Sequence, residues 1–380
     1  MKILQVNASY KPAYIYGGPT MSVSKLSEEL VKAGCEVEVF TTTANGQNEL
    51  DVTPGEPANV DGVKVVYFRR LTRDHTHYAP DLLMALRQHI KRFDVVHIHA
   101  WWNLVSVLAC RIAVKQGVPV VVSPRGTLSD YSFRNKNSLP KKLIHKLLGK
   151  SLLQKSYMHV TSDREEMAMK NLVLPRKIFN ISNFIALPGK TQEPLRTNEN
   201  GDLKLIFFSR IDPKKGVELL FDALKDIGIP YKLTIAGDGD ETYIDSLKKR
   251  AEKNSIAGYI DWIGFRTDDK FAVLQQHDLF ILPSYDENFG NTVIESLNMG
   301  TAVLISEHVG LSNYVEQNHL GWVCDQQVSS LKEKIIIASK SRDELLRIRE
   351  KAPAIIRRDF DDTVLTHEYV EMYKEIIANG

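Results

Sequence analysis

Two doubly wound α/β domains in series, facing a cleft, are what this sequence of 380 residues predicts. Three observations predict them. Short apolar runs alternate with amphipathic stretches of helical period, the pattern of strands buried on both faces of a parallel sheet. A polar stretch interrupts the alternation near the middle, and the pattern then restarts. The length, at roughly 100–200 residues per domain, fits two domains.

In chain order, the first set of strands is expected at Ile3–Ala8, Val37–Thr42, Val63–Phe68, Val95–His99, Val118–Ser123, Met158–Thr161 and Ile178–Ile181. Apolar residues at helical spacing place helices between them at Met21–Lys32, Asp81–Arg92, Val105–Lys115 and Arg164–Leu172. Pro188 to Asp202, with Gly189, Pro194, Asn198, Asn200 and Gly201, reads as a linker. The second set of strands follows at Leu203–Phe208, Tyr231–Ala236, Tyr259–Ile263, Leu279–Leu282, Ala302–Ile305 and Trp322–Cys324. Its helices are expected near Val217–Lys225, Glu241–Glu252, Asp268–Gln275 and Thr292–Met299, and residues 329–377 read as mostly helical. Ligands of such sheets bind outside the carboxyl ends of the strands.

Composition narrows the function classes. Hydrophobic residues make up 43% and charged residues 25%, which excludes a disordered, collagenous or coiled-coil chain as the main state. No stretch reaches the roughly 18 consecutive apolar residues of a spanning helix, and the start turns polar too early for a signal peptide. Cys35, Cys110 and Cys324 are too few and too scattered for a disulfide framework or a metal knuckle, so a reducing, cytoplasmic setting is expected. The net charge of +2 conceals a split. Residues 1–185 carry 25 Lys/Arg against 15 Asp/Glu, and residues 186–380 carry 24 against 32. The excess concentrates in 134–155 as Arg134, Lys136, Lys141, Lys142, Lys146, Lys150 and Lys155, with Leu139, Leu143, Leu147, Leu148 and Leu152 at helical spacing among them. A basic amphipathic helix of this kind suits the surface of an anionic membrane, and equally a core-facing helix with a solvated lysine face. Aromatic residues are not interleaved with the charges, which argues against nucleic acid.

The motifs sit where strands end. Pro283 to Asn291 (PSYDENFGN) links a strand to a helix. Its glycine permits a tight turn, and the backbone N–H groups of Phe289, Gly290 and Asn291 can face an anion at the helix terminus. Glu287 and Glu295 flank that terminus. Two carboxylates around a phosphate-binding turn suit a ligand with hydroxyls on both sides of a phosphate, as a sugar nucleotide has. As plain structure, Glu295 is an acid favoured by the helix dipole and Glu287 a loop acid.

The stretch PSYDENFGNTVIESLNMGTAVLIS resembles the Glu-x7-Glu signature of glycosyltransferase family 4, retaining enzymes of GT-B fold that include bacterial surface-polysaccharide glycosyltransferases. The similarity extends over nearly the whole chain. It implies two Rossmann-like domains: an acceptor-binding domain at 1–187, a linker at 188–202 and a nucleotide-sugar-binding domain at 203–359. A C-terminal helix of about 360–380 is expected to pack back on the first domain. It also implies that Glu287 bonds donor-sugar hydroxyls, that Glu295 holds the ribose diol, and that the N–H groups of 289–291 contact the diphosphate and sugar.

Further motifs fall in the order this resemblance requires. Phe207 to Gly216 (FFSRIDPKKG) ends a strand in a loop carrying Arg210 and Lys215, a planar fork and a point charge suited to a departing diphosphate. Lys214 reads as a solvated neighbour. Gly17 and Gly18, at the start of the first helix, allow close approach of the backbone to a ligand; they lack the dinucleotide fingerprint. In Asp94 to Asn103 (DVVHIHAWWN), His97 and His99 share one face of a strand, so direction alone does not single out the active histidine. The resemblance places a histidine against the donor sugar, matched to His99, and leaves His97 as a core histidine. Trp101 and Trp102 are candidates for stacking on a sugar. Arg125 is a candidate for acceptor or phosphate. Asp238 begins an Asp-x-Asp ending at Asp240, which the resemblance places at a turn near the nucleotide rather than at a metal site, and Phe265 and Arg266 are expected to border the base. Gly310-Leu311-Ser312 stands where two adjacent glycines are common.

The expected activity is retaining transfer of a hexose-type sugar from a UDP- or GDP-sugar to a glycan or lipid-linked acceptor. No metal or other cofactor is expected, and the protein would be cytoplasmic or peripheral on the inner face of the membrane. The alternatives are a nucleotide-sugar epimerase or glycosyl phosphorylase of the same fold, or a non-catalytic sugar-nucleotide-binding protein.

Overall fold

The structure, a computed structural model, describes residues 1–129, 131–132, 144–188 and 201–380. Most of the expected linker and the first half of the basic stretch 134–155 lie outside the described residues. The chain forms two compact units. Unit 1 is Met1–Ala186 with Phe360–Gly380, and unit 2 is Leu187–Asp359.

Unit 1 is built on strands β1 (Lys2–Val6), β2 (Glu36–Thr42), β5 (Pro57–Val60), β6 (Val63–Phe68), β7 (Val95–His99), β8 (Val120–Ser123), β9 (Tyr157–Val160) and β10 (Ile178–Asn180), with a small hairpin of β3 (Ala44–Asn45) and β4 (Asn48–Glu49). The eight strands lie in the order β10-β9-β8-β7-β1-β2-β6-β5. All pairings in this sheet are parallel except β5 with β6. That hairpin departs from the expected parallel set. Its cause is the two-residue turn Asp61-Gly62, whose φ values of 51° and 85° are those a tight hairpin requires.

Side chains alternate between the sheet's two faces. One face packs Leu4, Val6, Val96 and Ile98 against Leu82 and Leu86 of α2 (Pro80–His89) and Val105 and Ile112 of α3 (Leu104–Gln116). The other packs Ile3, Val37, Val95 and Val121 against Leu26 and Leu30 of α1 (Gly18–Lys32). On that second face also lie Tyr369 and Tyr373 of the C-terminal helix Asp362–Ala378. The alternation that puts Ile3, Val95 and Val121 there also puts Gln5, His97, His99, Ser123 and His159 there. A row of polar groups therefore crosses four neighbouring strands, and all five are fully buried. An unmatched buried polar group costs about 1–3 kcal/mol, so this row must be hydrogen-bonded within itself.

Unit 2 has six parallel strands in the order β13-β12-β11-β14-β15-β16. They are β11 (Leu203–Phe208), β12 (Tyr231–Ala236), β13 (Ile260–Gly264), β14 (Leu279–Leu282), β15 (Ala302–Ser306) and β16 (Gly321–Cys324). Leu205, Phe207, Leu233, Ile235, Phe280 and Leu304 are fully buried between covering helices. In each unit the chain reverses its direction of travel across the sheet once. In unit 1 this happens between β1 and β7, and in unit 2 between β11 and β14. The loops leaving those strands flank the crevice where such sheets take ligands.

Candidate active site

In unit 2 the loop after β11 and the loop after β14 are joined. Asp212 caps the turn Pro213–Lys215 by accepting from Lys214 N at 2.9 Å. Tyr285 N then donates to the Lys214 carbonyl at 2.8 Å. Gly216 makes the close approach possible: its φ is 71°, and a Cβ there would lie 2.2 Å from the Pro283 carbonyl oxygen. Past Pro283 the backbone of Glu287 is held on both sides, since Glu287 N donates to His308 O at 3.0 Å and Gly310 N donates to Glu287 O at 2.8 Å. Gly290 (φ 95°) then starts the helix Asn291–Asn298, with no side chain capping its first turn.

Three lysine–carboxylate pairs line this place. Lys215 is bonded to Glu287. Lys214 Nζ lies 2.9 Å from Asp286 Oδ2, and Lys270 Nζ lies 2.8 Å from Glu295 Oε1. Burial alone would raise the Glu287 carboxyl; Lys215, backed by Lys214 and Arg210, outweighs it and holds the group below the usual carboxylate range. Arg210 itself is exposed. The positive groups of the β11 loop and the uncapped helix start at Gly290 thus meet around one carboxylate, an arrangement that suits an anion bearing hydroxyls.

In unit 1 the polar row is a continuous hydrogen-bonded chain, and its two ends fix its direction. At one end the Ile181 carbonyl can only accept, so His159 Nε2 donates to it at 2.9 Å. His159 Nδ1 therefore accepts from Ser123 Oγ at 2.6 Å. Ser123 Oγ in turn accepts from His97 Nε2 at 2.5 Å, and His97 Nδ1 accepts from Tyr373 OH at 2.6 Å. Tyr373 OH accepts from Gln5 Nε2 at 3.2 Å, and Gln5 Oε1 accepts from His99 Nε2 at 2.6 Å. His99 Nδ1 then accepts from Arg125 Nε at 3.2 Å, and an arginine can only donate. All three histidines are neutral with the proton on Nε2. Burial depresses all three, with help from Arg125: His97 and His99 sit well below their ordinary value and His159 falls to about 3.

Two family profiles match the chain. "Glycosyl transferase 4-like domain" covers residues 17–183 and "Glycosyl transferases group 1" covers residues 190–354. The chain is a glycosyltransferase of GT-B fold. This glycosyltransferase is 26% identical over 366 residues to an uncharacterized glycosyltransferase of Methanocaldococcus jannaschii, covering 87% of each chain. It is 23% identical over 404 residues to the O-antigen biosynthesis glycosyltransferase WclY of Escherichia coli, covering 99% of each. Among solved structures it resembles Anabaena Alr3699/HepE in complex with UDP and glucose, with a TM-score of 0.76 at 19% identity, covering 99% of this chain and 100% of that one.

The glycosyltransferase brings Arg210, Lys215, Glu287, Gly290, Asn291 and Glu295 together at one switch point. Phe289 contributes backbone there, because its side chain is buried in the core. Asp238 is exposed, and its Oδ1 accepts from Gly239 N; Asp240 caps the helix Glu241–Lys253 by accepting from Tyr243 N at 2.9 Å. Phe265 is 67% exposed and Arg266 pairs with Asp269 at 3.3 Å. In unit 1, Gly17 is the N-cap of α1 and Gly18 its first residue.

Three expectations need correction, and one residue is added. Lys214 is not a solvated neighbour but the partner of the buried Asp286. Trp101 is fully buried in the core and offers no stacking face; Trp102 is half-buried, its indole N–H donating to Thr127 O at 2.5 Å. His99 is as deeply buried as His97, with both ring nitrogens occupied, so the cluster's outward group is Arg125. Lys270 went unnoticed in the sequence, because its partner Glu295 lies 25 residues away and nothing local marks the pair.

Proposed function

We propose that the protein is a retaining glycosyltransferase that moves a hexose-type sugar from a UDP- or GDP-sugar to a glycan or lipid-linked glycan in cell-surface polysaccharide synthesis. The observation that carries the donor reading is the meeting of Lys215, Lys214 and Arg210 around Glu287 beside the uncapped turn at Gly290. The names of WclY and of the HepE complex support the pathway and the donor class. Unit 2 is the donor half. Glu287 bonds sugar hydroxyls, Glu295 the ribose diol, and the N–H groups of Phe289, Gly290 and Asn291 the diphosphate. The acceptor hydroxyl attacks the anomeric carbon as its bond to the phosphate oxygen breaks on the same face, and the hydroxyl proton passes to that departing oxygen. Arg210, Lys215 and the helix terminus take up the released charge, worth several kcal/mol when such donors are already in place. With those groups in that role the reaction needs no metal, and Asp240 is a helix cap.

Unit 1 is the acceptor half, and its surface suggests a membrane-proximal acceptor. Ile144 and Leu147, which is 73% exposed, alternate with exposed Lys146 and Lys150 in the described part of the basic stretch. Among the described residues no helix is long and apolar enough to cross a membrane.

Thermal-shift titration with UDP, GDP and their sugars, followed by NMR of the product's anomeric configuration, tests the reading. An inverted product refutes retention. Turnover of donor alone to an epimer, or phosphate-dependent release of a sugar phosphate, refutes transfer. Nucleotide binding without turnover of any glycan leaves a binding protein. Absence of binding to anionic vesicles at low salt refutes the membrane assignment.

A further inference from the structure

Arg125 is a charged group in neutral company. Its hydrogen bonds go to His99 Nδ1 at 3.2 Å, Ser22 Oγ at 3.0 Å and Asn183 Oδ1 at 2.8 Å, none of them charged. Among the described residues no ion pair includes it, and no hydrogen bond uses its Nη2. The carboxylate of Glu165 acts on it, yet that carboxylate accepts from Gly126 N at 2.8 Å and Thr161 N at 3.0 Å. Arg125 also holds a φ of 52°, a region residues with a Cβ seldom adopt. The surroundings thus fix the guanidinium from three sides through neutral partners, with Glu165 acting on its charge without a direct contact.

The relay explains why the arrangement is stable in one orientation. Because the Ile181 carbonyl anchors the far end, each histidine presents Nδ1 as an acceptor, and the last of them accepts from Arg125 Nε. With Nε given to His99 and both Nη1 protons given to Ser22 and Asn183, the guanidinium keeps the two N–H groups of Nη2, charge-assisted donors suited to an oxyanion's oxygens. A partly buried cation with no directly paired anion is costly, and an anionic ligand in contact with it lowers that cost.

The geometry points to Arg125 as the binding residue for an oxyanion carried by the acceptor, a phosphate or a carboxylate, with His99, Ser22 and Asn183 holding its guanidinium. This rests on the assignment of unit 1 to the acceptor and narrows it to anionic acceptors: a sugar phosphate, a lipid-linked diphosphate or an acidic sugar.

The test uses the full chain. The rise in Tm with UDP or GDP is measured first, and its absence sinks the donor reading separately. With the effective nucleotide at saturation, so that the phosphate-binding groups of unit 2 are filled, the wild-type protein is treated with phenylglyoxal and Arg125 modification is read by mass spectrometry. Inorganic phosphate, glucuronate and glucose are compared as protectants. Protection by phosphate alone marks a phosphorylated acceptor, and by glucuronate alone an acidic sugar. Protection by neither, or equal protection by glucose, overturns the proposal. Arg125→Gln is expected to weaken the phosphate-dependent rise in Tm at least about tenfold in concentration, and Arg125→Lys to keep part of it, since a hydrogen bond to a charged group is worth that much. An unchanged phosphate response in both variants also overturns it.

Discussion

The two halves of this enzyme solve the same problem, polar groups gathered at a sheet's switch point, in opposite ways. Unit 2 pairs charge with charge: Lys215 with Glu287, Lys214 with Asp286, Lys270 with Glu295. Unit 1 removes charge. Three histidines are kept neutral along a hydrogen-bonded chain that ends on a single arginine. The difference teaches what each half can do when a ligand arrives. Partly buried ion pairs can re-pair when a ligand brings its own charge and hydroxyls, so on the proposed donor reading a diphosphate claims the lysines while the sugar hydroxyls claim the carboxylates. A buried neutral chain is costly to disturb and therefore orients rather than exchanges.

The most severe way to break this contrast is on the ionic side. Lys215→Ala is expected to lower kcat/KM by about 10²–10³-fold, roughly 3–4 kcal/mol of transition-state stabilisation, in steady-state assays with donor and acceptor. Near-native activity would remove the ionic half of the comparison.

Acid tests the neutral side. His159 is held at about 3, and His97 and His99 lie well below 6.5. Below about pH 6.5 the unfolded chain binds protons that the folded unit refuses, so the stability is complete above that pH and is lost as pH falls toward the depressed values, at about 1.4 kcal/mol per unit for each histidine. Corrected for the intrinsic exchange rate at each pH, the protection of the β7–β9 amides should fall more between pH 7 and pH 4 than that of β11 and β14. Unit 2 has a depressed histidine too, His277, so the contrast is one of degree. An equal loss of protection in both units would erase it.

Tyr373→Phe removes one link from the chain and should cost about 1–3 kcal/mol in chemical denaturation, because His97 Nδ1 is left buried without a donor. Lys270→Met sharpens the ionic side: the proposed contact of Glu295 with the ribose would be the same in ground and transition states, so KM for the donor is expected to rise several-fold at unchanged kcat, about 1 kcal/mol of uniform binding. A fall in kcat instead would place Lys270 closer to the chemistry. The smallest effect is expected from Asp240→Ala, a lost helix cap worth about 1 kcal/mol of stability, read as a fall in Tm, with kcat/KM unchanged. A large loss of activity would revive the metal reading of Asp238-x-Asp240.

Much of this was legible in the sequence, for physical reasons that differ by region. Strand and helix placement followed from periodicity, since each element must bury one face. The β5–β6 hairpin was missed although Asp61-Gly62 between valines is a hairpin signal. The donor-side loop could be read because its groups are local: Arg210 and Lys215 share one turn, and Glu287 to Glu295 share one loop and helix. The neutral chain could not. Its members come from β1, β7, β8, β9 and the C-terminal helix, and only the strand parity of His97 and His99 hinted at it. Trp101 misled because an aromatic at a strand end looks the same whether it faces a sugar or the core.

The helix Asp362–Ala378 deserves a last consequence. It delivers Tyr369 and Tyr373 to histidines encoded some 200 residues upstream or more, and the whole of unit 2 is encoded in between. During translation, therefore, unit 2 can finish folding on the ribosome while unit 1 still waits for the hydroxyls that close its polar row. The half of the enzyme made first is the half completed last.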